Sequence, residues 1–413
     1  LLVPALNVTI GVAVGLVVPA AFMPFFDLDS HVSLPSIHHP DESAVTRVVN
    51  VAPGRTRLTP VLDAPLARDE NLAWCPTLTA AWRDLMAIEN GPIRMEREAP
   101  VVTRLNREAA RLGDLDTRTL FSFAGFAGDG VIQRNRELFA ARFPERPLPG
   151  LLAEPPALAD DDLVAFGYLD ASLPFRWRFE RNPQEHHFAG QPVESFGFYQ
   201  YIPFVRAKAL AASQLGVHDF RGVNDFIIEL KVRFGDESDP ESRALPEFPA
   251  EWDAAAKVAD EAWRRNFAKP ADAGGHRLFL AKVPPRRTLA ETVEAVRGRI
   301  ARSRPKQLEV GRSLTIPILD FKLDHTFQEL TGRPLRARNF RLNGQPIEAA
   351  YQTIRFRLDE TGAEVRSEAG VLASIEEDIV FDRPFLVLIE AGSDRRPCFA
   401  LWVGNADLMI PRP

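Results

Sequence analysis

The chain has 413 residues, 46% of them hydrophobic, a formal net charge of −6 at pH 7 and two cysteines. That is enough apolar material for a sizeable core. The acidic balance excludes a global attraction to nucleic acid or to an anionic membrane surface, and two cysteines exclude a disulfide scaffold and a cysteine-based zinc site.

Residues 1–26 carry no charge. About 20 apolar residues span a bilayer as a helix, so an N-terminal apolar helix acting as a membrane anchor is expected. The alternative is a secretory signal segment with "PAAF" as its cleavage site; Pro4, Pro19, Pro24 and the length of the run favour the anchor, and a buried core helix is the third reading. Anchor and signal both export the rest of the chain. The main domain is then extracytoplasmic and membrane-anchored, or secreted if 1–26 is cleaved. Residues 27–65, with "HHPDE" and "APGRTRLTP", read as a linker, and 66–413 as the ordered domain.

That domain opens with a short buried strand at Leu72 to Trp74, and Pro76 starts a helix. A second helix is predicted over 99–112. "TLFSFAGFAGDG" is strand then turn, and "VIQRNRELFAARF" has the apolar spacing of an amphipathic helix. After the Pro-rich passage 144–156, "DDLVAFGYLDASLPFRWRF", "GQPVESFGFYQYIPF" and "VNDFIIELKVRF" read mainly as strands. Residues 236–275 form an inserted excursion with a helix at about 250–268. "HRLFLAKVPP" returns as strand. "TLAETVEAVRGRIARS" is a helix with Thr288 as N-cap and Glu291 three residues on, the capping-box spacing. "RSLTIPILDFKL" is strand, and 350–413 is almost all strand apart from the stretch 357–391, which itself begins and ends like strand. The fold class is α+β.

The usual catalytic motifs are absent: no G-x-S-x-G, no G-x-x-x-x-G-K-[ST], no H-E-x-x-H and no C-x-x-C. His38–His39 and His186–His187 are neighbours, and neighbouring residues of a strand point to opposite faces, so metal ligation is not expected. "GFAGDG" misses the G-x-G-x-x-G order and reads as a strand-ending turn. His beside Asp in "DHTF" and "GVHDF" reads as a surface hydrogen bond rather than part of a triad. A bridge between Cys75 and Cys398 is open in an oxidising compartment, but two unrelated thiols is the preferred reading. No enzyme, cofactor or metal is implied.

The exceptional stretch repays a closer look. After Gly362 one face of an extended chain would carry Ala363, Val365, Ser367, Ala369 and Val371, the other Glu364, Arg366, Glu368 and Gly370. Small or apolar residues alternate with mostly charged ones at period two. Such a segment has the form of a strand that fills a gap in a sheet with its small side buried; an ordinary edge strand and loop is the plainer reading.

"RFRLDETGAEVRSEAGVLASIEEDIVFDRPFLVLIEAGSDRRPCFALWVGNADLMIP" resembles the C-terminal quarter of a serpin. There a strand ends in an acidic, Gly-containing hinge, followed by a small-residue run, an exposed reactive loop, a phrase close to "F-N-x-P-F-x-F-L-I" and a strand near "L-F-x-G-x-V". "NLAWCPTLTAAW", "DLVAFGYLDASLPFRWRFERNPQEHHF", "DFIIELKV", "RLFLAKVPPRRTLAETVEAV" and "LTIPILDFKL" resemble earlier blocks of the family in the same order. Phe175 and Phe179 stand where it usually has Trp and Phe. The resemblance spans roughly 69–411 and implies a large mixed sheet plus smaller sheets with packed helices. It also implies an exposed reactive-loop segment at 363–378 that inserts as a strand after cleavage by a target serine protease.

The resemblance implies a hinge of Glu360, Gly362, Ala363, Val365, Ser367 and Ala369. Counting back from Phe381 places the reactive bond at Ala373–Ser374; counting forward from the hinge places it near Glu376–Glu377. With Leu372 and Ala373 before the bond, an elastase-like serine protease is the partner implied, and a monomer without nucleic acid is expected. The chain also departs from the family. The loop is about three residues short, a reach about 10 Å less. Arg366 and Glu368 dilute the hinge. The sheet-opening cluster of Ser, Asn and His becomes Cys75, Gly167 and Gln352, so its usual hydrogen-bond network is not expected to form. The implied functions are therefore two: a serpin-type protease inhibitor, or a non-inhibitory binding or structural module that kept the architecture.

Overall fold

The computed structural model describes residues 6–10, 49–50 and 55–412, apart from 98, 114–118, 145, 156–157, 171–172, 174, 176–178, 183, 199–213, 233–251, 268–275, 309–312, 348–349, 361–378 and 392–394.

Two large sheets organise the chain. The first is mixed and six-stranded, in the order Val49–Asn50, Leu319–Thr326, Tyr351–Leu358, Leu6–Ile10, Leu163–Asp170, Leu120–Phe126. The second is eight-stranded, in the order Lys306–Gln307, Leu215–Gly222, Asp225–Leu230, Arg277–Lys282, Phe385–Ala391, Arg396–Val403, Asn71–Trp74, Thr56–Thr59. A four-stranded sheet joins Ile379–Val380, Leu314–Pro317, Ser195–Phe198 and Glu180–Arg181. The expected α+β arrangement, a large mixed sheet with smaller sheets and packed helices, is present.

Period-two patterning distributes each strand between layers. Leu163, Ala165 and Leu169 face the main core, while Val164, Phe166 and Tyr168 face an aromatic layer with Phe121, Phe123, Phe139 and Phe143. That layer is covered by the helix Val131–Arg142 and the short turn Gly150–Ala153. Every residue of Phe385–Ala391 is buried, because its two faces meet different partners. Leu386 and Leu388 lie under the helix Leu289–Ala301, and Phe385, Val387 and Ile389 join the main core. Phe356 of the first sheet stacks on Phe399 of the second at 4.7 Å.

The local signals read from sequence hold where they are strong. Thr288 accepts a hydrogen bond from the Glu291 N–H at 3.1 Å, the N-cap half of the capping box expected, while the Glu291 carboxylate accepts from Arg287. Pro76 precedes the helix Thr77–Glu89, and Asn90 ends it in the left-handed region at φ 53°. "GFAGDG" is the strand-ending turn, with Gly130 at φ 66°. The helix Trp252–Phe267 of the inserted excursion is tied to the second sheet by the Trp263 indole, which donates to the Leu215 carbonyl at 2.9 Å.

Two expectations are corrected. Of the segment expected as an apolar helix, 1–26, the five described residues form a strand, Leu6–Ile10. Val8, Thr9 and Ile10 are β-branched and favour that state. No helix among the described residues is long and apolar enough to cross a membrane. The linker expected at 27–65 holds two strands: Val49–Asn50 pairs with Leu319–Thr326, Thr56–Thr59 pairs parallel with Asn71–Trp74, and Leu58, Val61 and Ala64 are buried. Pro60 lies in a bend there and Pro65 bridges to Thr288, so the described part is not a free tether. Cys75 and Cys398 are both buried and not bridged to each other, as the preferred reading had it.

That N-terminal edge is held through Glu108 of the helix Pro100–Arg111. Its carboxylate accepts from the Leu62 N–H at 2.8 Å and from the Thr79 hydroxyl at 3.4 Å. Burial raises its pKa to about 7 from 4.5, outweighing the hydrogen bonds that lower it. A carboxyl raised on folding stabilises fully below its unfolded value and loses that contribution as pH rises through the folded one. On this account stability is expected to fall by about 1–3 kcal/mol between pH 4.5 and pH 7. Urea unfolding across that range checks it. Glu108→Gln should flatten the dependence; an unchanged slope assigns it to another group.

Candidate functional site

The site lies where the first sheet meets the stretch that resembles a reactive loop. In Tyr351–Leu358 the side chains alternate, with Gln352, Ile354, Phe356 and Leu358 buried and Tyr351, Thr353, Arg355 and Arg357 partly exposed. On its outer side it pairs antiparallel with Leu319–Thr326 along its full length. On its inner side it does not pair with Leu163–Asp170. One strand position separates the two, and the backbone of Leu6–Ile10 fills part of it, parallel to both.

The end of Tyr351–Leu358 is firmly held. Asp359 and Glu360 are 0% and 1% exposed, which is unusual for acids and needs partners. The Arg357 guanidinium binds Asp359. The Glu360 carbonyl accepts from the Phe179 N–H at 3.0 Å, and its carboxylate lies 3.4 Å from Arg181. Phe179 sits edge-on to Phe175 at 4.9 Å and packs against Phe196 and Phe198. The two positions singled out by resemblance thus form an aromatic block beside the tether.

The chain is equally fixed where it returns. The Ile379 N–H donates to the Ser313 carbonyl at 3.1 Å, and Ile379–Val380 pairs parallel with Leu314–Pro317. The buried Lys282 ammonium donates to the carbonyls of Val223 and Val380 at 2.8 and 2.9 Å and to Asp382 at 2.5 Å. Of the predicted site residues, Glu360 is therefore placed at the mouth of the strand position. Gly362, Ala363, Val365, Ser367, Ala369, Ala373 and Ser374 lie outside the described residues.

Around Cys75 and Gln352 the family's usual network is replaced. A buried network does form, by other chemistry. The Gln352 amide donates to Thr77 Oγ1 at 2.7 Å and to Cys75 Sγ at 3.1 Å, and the Cys75 thiol lies 3.1 Å from the same hydroxyl. The cluster ties the strand Tyr351–Leu358 to the start of the helix beneath it, while Gly167 offers no side chain. Burial pushes the Cys75 thiol up to about 12, so it acts as a packed polar group and not a nucleophile. The missed signal was Thr77, two residues beyond Cys75. Gln352 Oε1 is buried without a hydrogen-bond partner. Gln352→Ala is expected to cost about 2–3 kcal/mol through the cavity and two lost bonds, read as a lower urea midpoint. A loss below about 0.5 kcal/mol, within the range of a neutral surface change, rules out a clasp here.

The remaining chemistry is structural. His186 is buried, with Nε2 3.0 Å from the Phe381 carbonyl, and His187 is exposed on the other face, so the pair does not converge. No group of three or more His, Cys, Asp or Glu among the described residues is placed to hold a metal. His218 does not bond the adjacent Asp219 as expected; it turns inward. Its Nε2 lies 2.7 Å from Glu229 and its Nδ1 3.1 Å from Ser303, bordering a cavity of about 200 Å³. The Ser303 hydroxyl donates to the Ile300 carbonyl at 3.0 Å, and Arg277 neutralises Glu229. The hydroxyl proton and the carboxylate charge are both committed, so the arrangement closes a helix end rather than activating a nucleophile.

No family model matches the chain, and no curated protein matches it. Among solved structures it is similar to human thyroxine-binding globulin in complex with thyroxine, at TM-score 0.42 and 11% identity, covering 82% of this chain and 92% of that one. It is also similar to mouse protein-Z dependent protease inhibitor, at TM-score 0.43 and 11% identity, covering 81% and 91%. Both are serpins. The fold reading itself rests on the order of elements around the tether, which runs as the sequence resemblance implied.

Proposed function

We propose that this chain is a serpin-fold protein of the protease-inhibitor class, acting outside the cytoplasm, with 363–378 as bait for a serine protease. Cleavage frees the hinge side, which enters the first sheet as a strand between Tyr351–Leu358 and Leu163–Asp170. The observation that carries this reading is the strand position between two parallel strands that do not pair with each other, with the Glu360 tether at its mouth. Insertion extends ladders that already exist, and the alternation after Gly362 buries the small face while Glu364, Arg366 and Glu368 stay outside. Counting from Phe381 supports Ala373–Ser374 as the bond and an elastase-like protease as the partner.

A second reading is a non-inhibitory binding or structural module. The partly occupied strand position and the Gln352–Cys75–Thr77 clasp favour it, since both oppose opening of the sheet. The test is incubation with elastase-, chymotrypsin- and trypsin-like proteases, followed by a denaturing gel and a melting curve. An SDS-stable adduct supports trapping. Cleavage without an adduct but with a large rise in melting temperature means insertion without trapping. Cleavage with neither selects the second reading.

A further inference from the structure

Two described strands of the first sheet, Leu6–Ile10 and Val49–Asn50, lie outside the serpin resemblance, which begins near residue 69; Val49–Asn50 is at the edge, and Leu6–Ile10 is inside the sheet. Its backbone pairs with Gln352 through Phe356 on one side, Leu6 opposite Gln352 and Ile10 opposite Phe356. On the other side Val8 and Thr9 pair with Leu169 and Asp170. Ile10 is thus level with a residue two short of Leu358, where the strand hands over to the buried tether Asp359–Glu360. The other end, Leu6, is level with Gln352 and its clasp to Cys75 and Thr77. The occupied stretch is therefore the mouth of the strand position, between tether and clasp. Any strand entering from the tether must pass through it first.

We infer that Leu6–Ile10 is a displaceable plug, a segment of the chain's own N-terminal region that closes the strand position until a longer strand replaces it. The inference rests on the insertion reading above and names what regulates it. An empty position would leave two facing rows of backbone N–H and C=O groups unpaired within a sheet, which native proteins avoid. Leu6–Ile10 meets that need at the mouth. It is nevertheless the weaker of two occupants. It has five residues, reaches only two residues of Leu163–Asp170, and is parallel to both neighbours. Parallel pairing is slightly less stable per residue than antiparallel. A strand that folds back from Glu360 runs antiparallel to both and has both full edges available. The plug is thus expected to slow entry without preventing it. The same five residues cannot lie in a bilayer while they are paired in the sheet.

The probe is a synthetic peptide of residues 363–373, AEVRSEAGVLA, incubated with the intact chain. Uptake is followed by native gel and melting curve, and backbone protection by hydrogen exchange at residues 354–356. The comparison is Val8→Pro in the full chain. Proline removes a ladder donor at the residue that faces both neighbours and is not accommodated inside a sheet. The expected result is protection at 354–356 that is lost in Val8→Pro, with peptide uptake at least tenfold faster in the variant. Should Val8→Pro fail to fold, removal of residues 1–26 takes its place with the same expectations. Equal protection in both chains, or equal uptake rates, overturns the plug while leaving insertion standing. Loss of protection with no uptake by either chain overturns insertion itself, and the plug's role with it.

Discussion

Cleavage within 363–378 is expected to raise the melting temperature by on the order of ten degrees rather than lower it. A nick in an ordinary loop does the reverse, since it releases two ends and adds chain entropy to the unfolded state. Here the hinge side stays tethered at Glu360, whose carbonyl and carboxylate are both held. An inserted strand of about ten residues adds about twenty backbone hydrogen bonds, about ten along each of two sheet edges, each worth about 1 kcal/mol net. Ordering the segment and displacing Leu6–Ile10 offset part of this, leaving several kcal/mol. In a domain of this size each kcal/mol moves the midpoint by about two degrees or somewhat less. Calorimetry before and after limited proteolysis reads the difference. A midpoint that is unchanged or lower after clean cleavage sinks insertion, whatever the gel shows about adducts.

Glu229→Ala is expected to cost about 3–5 kcal/mol, the loss typical of removing one partner from a buried ion pair. Glu229 lies in the strand Asp225–Leu230. It accepts from Arg277 Nε at 2.9 Å and Nη2 at 2.7 Å, while His218 Nε2 lies 2.7 Å away. Burial alone would raise its pKa, but the bidentate guanidinium and the imidazole hold it at about 2. Without Glu229 the Arg277 guanidinium, only 11% exposed, keeps its charge and loses its counterion. Replacing both partners, as in Glu229→Leu with Arg277→Met, should recover most of the loss, because the unpaired charge is then gone. The pH dependence follows in sign. A carboxyl lowered on folding contributes above its unfolded pKa and loses that contribution as pH falls through its folded value. Stability from Glu229 is thus complete above pH 4.5 and is lost toward about 2. Urea unfolding of the single and double variants between pH 3 and 7 checks both statements. A double variant as unstable as Glu229→Ala would place the cost in packing rather than charge.

Much of the fold was legible where short-range rules suffice. Thr288 with Glu291 and Pro76 before its helix are each decided within a few residues, and each appears in the structure. The readings that failed depended on distant partners. Residues 56–59 looked like a linker because four residues carry too little periodicity to announce a strand; the strand exists because Asn71–Trp74 lies beside it. Residues 1–26 looked like a helix because apolar length alone is the sign of a membrane span, whereas a sheet with a vacant mid-position accepts a β-branched segment of any origin. Cys75 and Gln352, brought together by the resemblance, do meet in the structure, but Thr77 was missed because a hydroxyl at the start of a helix reads first as a local cap.

By itself the sequence determined the α+β class and the order of the major helices and strands. Those properties follow from side-chain type and spacing, which act over one or two turns of chain. Only the tertiary structure decided that Asp359 and Glu360 are buried, that Gln352 bonds Cys75 and Thr77, and that Leu6–Ile10 lies between Tyr351–Leu358 and Leu163–Asp170. Backbone pairing carries no address in the residues that make it: any strand can satisfy a free edge, and which one does depends on where the rest of the fold has left an edge open.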